Sequence, residues 1–419
     1  MKIATLRARQ IIDSRALPAL ECVLTLDNGT QVVASVPEGA SIGRNEAKEL
    51  RDGDMHHFGG KGVLNAIAML HDIIAPALVG KRPDVTAVDQ ELIALDGTAD
   101  KSRLGANTIL AVSMAVARAQ AFDDGIELYQ LINRLHGDEE KPAMPQCMYN
   151  LINGGFHGNN GLAFQEFMVM PRVGSIGESL EYASGVYWAL KKILIKQGLS
   201  VGVGDEGGYA PLFKQIGLAR EFAALDLLDL AMKSVQHSVN AVICLDVAAA
   251  TFFDQRLARY TIDKTGYTAQ ELVAIYEDLC NRYQIASIED GLDQDDWVGW
   301  QTLTKCLGGR IQLVGDDIFV TNQTRITQGI EMGVANAVLI KPNQIGTVSE
   351  ALEAVKLSKK AGYKTIVSHR SGETNDTFIA DFVVGTAAGQ YKGGAPARGE
   401  RVAKYNRLLA IEEQLLGQR

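Results

Sequence analysis

The sequence predicts an α/β protein in which an eight-stranded (β/α)₈ barrel follows a smaller α+β domain. Three observations carry that expectation. Past residue 145, short and nearly continuous apolar runs recur eight times, most of them separated by helical segments; buried strands alternating with helices make a sheet covered on both faces, and eight of them close a barrel. Before residue 36 the chain instead alternates apolar and polar residues in strand fashion. A chain of 419 residues is also too long for a single core, since one core rarely grows past about 300 residues.

In order along the chain, residues 3–36 read as strands. Leu20, Cys22, Leu24 and Leu26 alternate with Glu21, Val23, Thr25 and Asp27, and Asn28-Gly29 is a hairpin turn signal. Residues 61–135 read as helical, with an alanine-rich buried helix over Ala106–Ala121. The polar stretch 137–145 carries Asp138, Glu139, Glu140, Lys141 and two prolines and reads as a linker. The expected division is therefore an α+β capping domain over 1–136, a linker over 137–145 and the barrel over 146–419. The eight barrel runs are Cys147–Ile152, Phe164–Met170, Ala241–Val247, Ile285–Ile288, Ile311–Val314, Ala337–Ile340, Thr365–Ser368 and Phe382–Thr386. The alternative is a doubly wound open sheet, but no Gly-x-Gly-x-x-Gly follows an early strand.

Composition excludes several classes. A net charge of −9 leaves no basic face for nucleic acid. The five cysteines are odd in number, widely spaced and without a Cys-x-x-Cys, so neither a disulfide framework nor a zinc site is expected, and buried thiols in a reducing cytosol are. Lys2, Arg7, Arg9 and Asp13 interrupt the N-terminus, which rules out a signal-peptide core, and no run of about 20 apolar residues offers a membrane span. The expected location is the cytoplasm.

Chemistry in such barrels gathers where strands end. Val242-Ile243-Cys244-Leu245 ends in Asp246, Ile285-Ala286-Ser287-Ile288 in Glu289, and Leu313-Val314-Gly315 in Asp316. Three carboxylates on one rim repel unless a cation lies between them, and hard oxygen donors favour Mg²⁺ or Ca²⁺. Val338-Leu339-Ile340 ends in Lys341, a candidate base if burial and neighbouring cations lower its pKa. Ile366-Val367-Ser368 ends in His369-Arg370-Ser371, and an arginine fork with a hydroxyl is a natural phosphate clamp. Gly39-Ala40-Ser41-Ile42-Gly43 is a loop able to close over an anion, Asn153-Gly154-Gly155-Phe156-His157-Gly158 sets His157 in a mobile loop, and Gly204-Asp205-Glu206-Gly207-Gly208 places two acids in a flexible turn.

These residues resemble the enolase family, and the likeness covers nearly the whole chain. It rests on Asp13-Ser14-Arg15, Gly39-Ala40-Ser41, Asn153-Gly154-Gly155 with His157, Gln165-Glu166-Phe167-Met168, Gly204 to Gly208, Leu245-Asp246-Val247, Ser287-Ile288-Glu289-Asp290, Val314-Gly315-Asp316-Asp317, Lys341-Pro342-Asn343-Gln344, Ser368-His369-Arg370-Ser371-Gly372-Glu373-Thr374 and Gly394-Ala395-Pro396, all in family order. The resemblance implies an enolase-type barrel whose second strand runs antiparallel. It implies reversible dehydration of 2-phosphoglycerate to phosphoenolpyruvate in glycolysis and gluconeogenesis, by a homodimer or octamer, with a surface-associated or secreted fraction as in other members. It implies two Mg²⁺ ions: one on Asp246, Glu289 and Asp316, the second formed with substrate on Ser41. Lys341 would be the base, and Glu206, supported by Glu166, the acid. Lys392 would pair with the substrate carboxylate, Arg370 and Ser371 with its phosphate, and His157 and His369 would complete the site.

The sequence also departs from the family. Ala16 and Leu17 stand where Gly-Asn is usual, Ile42 and Gly393 replace Thr, Phe156 and Gly158 flank His157 atypically, and Gly291 replaces Pro. Ala410 replaces an arginine that pairs with a glutamate, here Glu21, across the family's dimer interface, which implies a dimer less dependent on that pair. The competing reading is a non-catalytic enolase paralogue acting as a binding protein; burying the retained like charges without a metal argues against it.

Overall fold

The structure is a computed structural model that describes residues 1–40, 43–137, 140–235 and 239–417. An antiparallel sheet opens it: β1 (Ile3–Ile12), β2 (Pro18–Leu26) and β3 (Gln31–Ser35), in that order. The expected turn is present, with Gly29 at φ +88° where only glycine is unstrained. The helix Ala106–Asp124 lies across β2 and β3. It is buried on nearly every side, which explains its alanine content: small side chains let sheet and neighbouring helices approach together.

The barrel strands are β4 (Gln146–Asn153), β5 (Glu166–Pro171) and β6 (Ala241–Asp246). After a small meander of β7 (Phe253–Asp254), β8 (Arg259–Ile262) and β9 (Thr265–Tyr267), they continue as β10 (Ile285–Glu289), β11 (Gln312–Gly315), β12 (Ala337–Ile340), β13 (Lys364–Ser368) and β14 (Gly389–Lys392). They close in the order β10-β11-β12-β13-β14-β4-β5-β6. β5 runs antiparallel to both neighbours, and every other barrel pairing is parallel. Met148, Met168, Met170, Val242, Cys244, Val314, Leu339 and Ile366 fill the interior.

Seven of the eight expected strands lie where the sequence places them. The eighth does not: Phe382–Thr386 falls at the end of the helix Phe378–Gly385, and the strand is Gly389–Lys392. The helix is buried almost throughout, so its apolar run has no polar stripe to reveal the helical period. The true strand offers only Tyr391 as an apolar residue. Residues 138 and 139 of the expected linker lie outside the described residues.

The first domain caps the rim formed by the C-terminal ends of the parallel strands. Glu38 and Gly372 exchange backbone hydrogen bonds of 2.9 and 2.8 Å. Arg118 grips Asp376 at 2.7 and 2.8 Å, and Lys101 meets Glu350 at 2.9 Å. These ties hold Gly39 and Ala40 over the strand ends.

Candidate active site

Chain direction explains who stands on the rim. Asp246, Glu289 and Lys392 are the last residues of β6, β10 and β14, while Asp316, Lys341 and His369 directly follow β11, β12 and β13. Glu166 is the first residue of β5, and because β5 is reversed its start lies on the same rim, opposite Asp246 in register. Reading the residue after each apolar run therefore cannot find Glu166. His157 sits not in an open loop but in a one-turn helix, Gly155–Gly158, and is buried. Ser41 and Ile42 lie outside the described residues.

Five carboxylates are buried together here: Glu166, Glu206, Asp246, Glu289 and Asp316. Two ammoniums lie among them. Lys392 Nζ is 2.9 Å from Asp246 Oδ2, 2.9 and 3.0 Å from the two Glu289 oxygens, and 3.1 Å from Glu166 Oε1. Burial disfavours its charge, but Asp246, Glu166 and Glu289 outweigh that and hold its pKa far above the usual lysine value. Lys341 Nζ donates to Asp316 Oδ2 at 2.5 Å. Burial lowers its pKa, yet the adjacent Asp316 wins and raises it. The expected lowered lysine is thus absent while Asp316 holds the ammonium; Arg370 and Lys392 act in the lowering direction.

Glu166 and Glu206 share the opposite situation. Glu206 faces three donors: Asn150 Nδ2 at 2.8 Å on Oε2, and His157 Nε2 at 3.6 Å and His369 Nε2 at 3.4 Å towards Oε1. Glu166 has Lys392 on one oxygen and no partner on the other. Burial, then the charge of Glu206, raise Glu166 well above the carboxylate range. For Glu206, burial is overcome by its partners, His157 and His369 first and then Arg401 and Lys392, and its pKa lies well below the carboxylate range. The pair thus keeps its proton on Glu166 in this state, not on Glu206, where the proposed acid needs it. Ligand atoms of His157, Glu166 and Glu206 lie within 4.8 Å of one another, which places the two carboxylates side by side at one end of the site.

Arg370 is pinned by Glu46, which the sequence did not single out, and by Asn343. Its Nη1 is 2.9 Å from Glu46 Oε2 and 3.1 Å from Asn343 Oδ1, and its Nη2 is 3.2 Å from Glu46 Oε1. The Ser371 hydroxyl accepts from Ala40 N. Arg370 and Ser371 thus lie directly under the first domain. A small, largely closed cavity joins these groups; Gly39, His157, Glu166, Glu206, Asp246, Lys341, His369, Arg370, Ser371 and Lys392 line it.

The chemistry of the acid cluster suits a cation. A second tight group of oxygens, Asp290, Asp316 and Asp317, lies within 4.8 Å. Asp290 accepts from the backbone N–H of both Asp316 and Asp317 at 2.9 Å, which fixes where Asp316 points. Asp246 and Glu289 are brought together instead around Lys392. Buried hard oxygens in excess of cations, with Glu166 Oε2 and Gln165 Oε1 left without partners, fit a divalent ion such as Mg²⁺.

Comparison with known proteins agrees. Residues 3–132 match the family described as enolase, N-terminal domain, and residues 141–419 match enolase, C-terminal TIM barrel domain. A protein of Mycobacteroides abscessus named enolase is 50% identical over 413 residues, covering 97% of this chain and 93% of its own length. The chain belongs to the enolase family. Enolase membership and the acidic groups together imply Mg²⁺. Among the described residues no helix is long and apolar enough to cross a membrane.

Proposed function

We propose that this chain catalyses the reversible dehydration of 2-phosphoglycerate to phosphoenolpyruvate. The observation that carries the reading is that Lys341 and Glu206 line one cavity with separate sets of partners: Asp316 for the lysine, and His157, His369 and Asn150 for the glutamate. A β-elimination needs that separation, because a base and an acid acting at one pH must hold opposite protonation states.

In this reading Lys392 pairs with the substrate carboxylate and Arg370 and Ser371 with its phosphate. The carboxylate brings Lys341 to the adjacent carbon. Lys341 takes the proton from that carbon once Asp316 no longer holds its ammonium, since burial, Arg370 and Lys392 then act together to lower its pKa. Glu206, recharged from Glu166, gives a proton to the departing hydroxyl, which is too basic to leave as hydroxide. His157 and His369 orient Glu206. Asp246, Glu289 and Asp316 would hold one Mg²⁺ and Ser41 with the phosphate a second, supplying positive charge where the enolate forms. The pairing of Mg²⁺ with a lysine or histidine base is a general property of the enolase superfamily rather than a deduction from this chain.

We infer the same division as the sequence: a cap over 1–136, a linker over 137–145 and the catalytic barrel over 146–419, acting in the cytoplasm as a homo-oligomer. Within its own chain Glu21 pairs with Arg9 at 2.5 Å. The deciding experiment follows ultraviolet absorbance with 2-phosphoglycerate, with and without Mg²⁺, beside Lys341→Ala. A Mg²⁺-dependent rise that the variant loses supports the reading. A flat trace with wild-type protein that still binds Mg²⁺ overturns it.

A further inference from the structure

Arg401 belongs to the C-terminal helix Gly399–Gly417, where a charged residue would ordinarily face water, yet its side chain is fully buried. Its guanidinium ends in the site. Nη1 lies 2.7 Å from His369 Nδ1 and also donates to the Arg370 carbonyl; Nη2 donates to the carbonyls of Asp205, at 3.0 Å, and Ser371. A guanidinium has donors only. His369 Nδ1 must therefore accept, and a neutral ring must carry its hydrogen on Nε2. A protonated ring would set an N–H and a positive charge against the guanidinium. The ring is 2% exposed and cannot turn away into water. Its Nε2 is 3.4 Å from Glu206 Oε1 and makes no hydrogen bond of good geometry.

We propose that Arg401 is a positioning residue that locks His369 as the neutral Nε2–H tautomer, so that His369 donates towards Glu206 and the departing hydroxyl and never takes their proton. This rests on the dehydration reading, and it assigns proton delivery to the Glu206–Glu166 pair alone. Burial, and then Arg401 with the other cations, hold the His369 pKa well below the histidine range against the pull of Glu206, in keeping with a ring that stays neutral. The same guanidinium joins the turn carrying Glu206 to the strand end carrying Arg370 and Ser371. A purely structural role would be lost in any variant, so the test must read the tautomer itself.

The test uses full-length protein with ¹⁵N-labelled histidine side chains and long-range ¹H–¹⁵N correlation, His369 being identified by the signal missing from His369→Asn. The wild type without substrate is expected to show a protonated Nε2 and a bare Nδ1, unchanged across the neutral pH range. Arg401→Lys, which keeps a donor, is expected to keep the tautomer. Arg401→Met, which keeps bulk but no donor, is expected to move the hydrogen to Nδ1 and lower kcat about 100-fold with KM within about twofold, at the low end for a lost acid–base contribution. A wild-type ring protonated on Nδ1 overturns the proposal even if no variant folds. So does Arg401→Met that loses activity with the tautomer intact. If the wild type shows the Nε2–H ring but no activity on 2-phosphoglycerate, the dehydration reading fails while the grip of Arg401 on His369 stands.

Discussion

Glu46 gives the sharpest quantitative test of the site. It is 5% exposed and holds Arg370, itself 4% exposed, through two charge-assisted hydrogen bonds of 2.9 and 3.2 Å. Removing one member of a buried ion pair typically costs about 3–5 kcal/mol, because the remaining charge keeps its desolvation penalty. Asn343 Oδ1 stays at 3.1 Å, and Gln at position 46 keeps an acceptor, so Glu46→Gln is expected at the low end, about 3 kcal/mol. Glu46→Ala is expected to cost more, since it also strips the partner of Gly43 N at 2.9 Å. Glu46 also neutralises the cation proposed to bind phosphate. Its removal makes Arg370 a stronger anion site, so inorganic phosphate should stabilise Glu46→Gln more than wild type, following RT ln(1 + [L]/Kd). The assay is urea unfolding of both proteins with and without phosphate. A loss under about 1 kcal/mol without phosphate, or equal stabilisation of both proteins by it, would refute the argument.

Other outcomes follow from single contacts. A Cβ added at Gly39 would lie 1.9 Å from Arg370 Nη2, so Gly39→Ala should raise KM for the phosphorylated substrate at least about tenfold, roughly the loss of one charged hydrogen bond, as steady-state assay of the variant will show. Buried Asp89 has its pKa raised from 3.8 to about 6, by burial first, against hydrogen bonds from Ser113 and Ser349. A raised carboxylate binds its proton more tightly when folded, so stability is full below about pH 4 and declines as pH rises through 6; Asp89→Asn should match wild type at pH 4 and exceed it by up to about 3 kcal/mol at pH 7.5 in thermal unfolding. Mg²⁺ should raise the wild-type melting temperature and leave Asp246→Asn nearly unchanged, read by scanning calorimetry after chelation and re-addition.

What the sequence made legible follows from geometry. In parallel barrel strands, an apolar run followed by a polar residue maps onto one rim, so Asp246, Glu289, Asp316, Lys341 and His369-Arg370-Ser371 could be read directly, and the structure gathers them. Glu166 escaped that reading because its strand is reversed, and only the family resemblance supplied it. The eighth strand was misplaced because a helix buried on every side loses its period, so Phe382–Thr386 reads as a strand.

The residues that hold the reactive groups were harder to read, for a different reason. Glu46 and Arg401 look like solvated charges in local sequence, and only tertiary packing buries them. Each meets a side chain far along the chain: Glu46 meets Arg370 across 324 positions, and Arg401 meets His369 across 32. Burial is also what gives them consequence. Exposed ion pairs contribute about 1 kcal/mol or less, whereas a buried guanidinium with no acceptor atoms dictates which nitrogen of His369 carries a proton. The protonation states that the reaction needs therefore depend on a shell of charges outside the rim motifs. Substitution in that shell should change pairing and tautomer before it changes the fold, and the separation of kcat from KM in Arg401→Met measures that dependence directly.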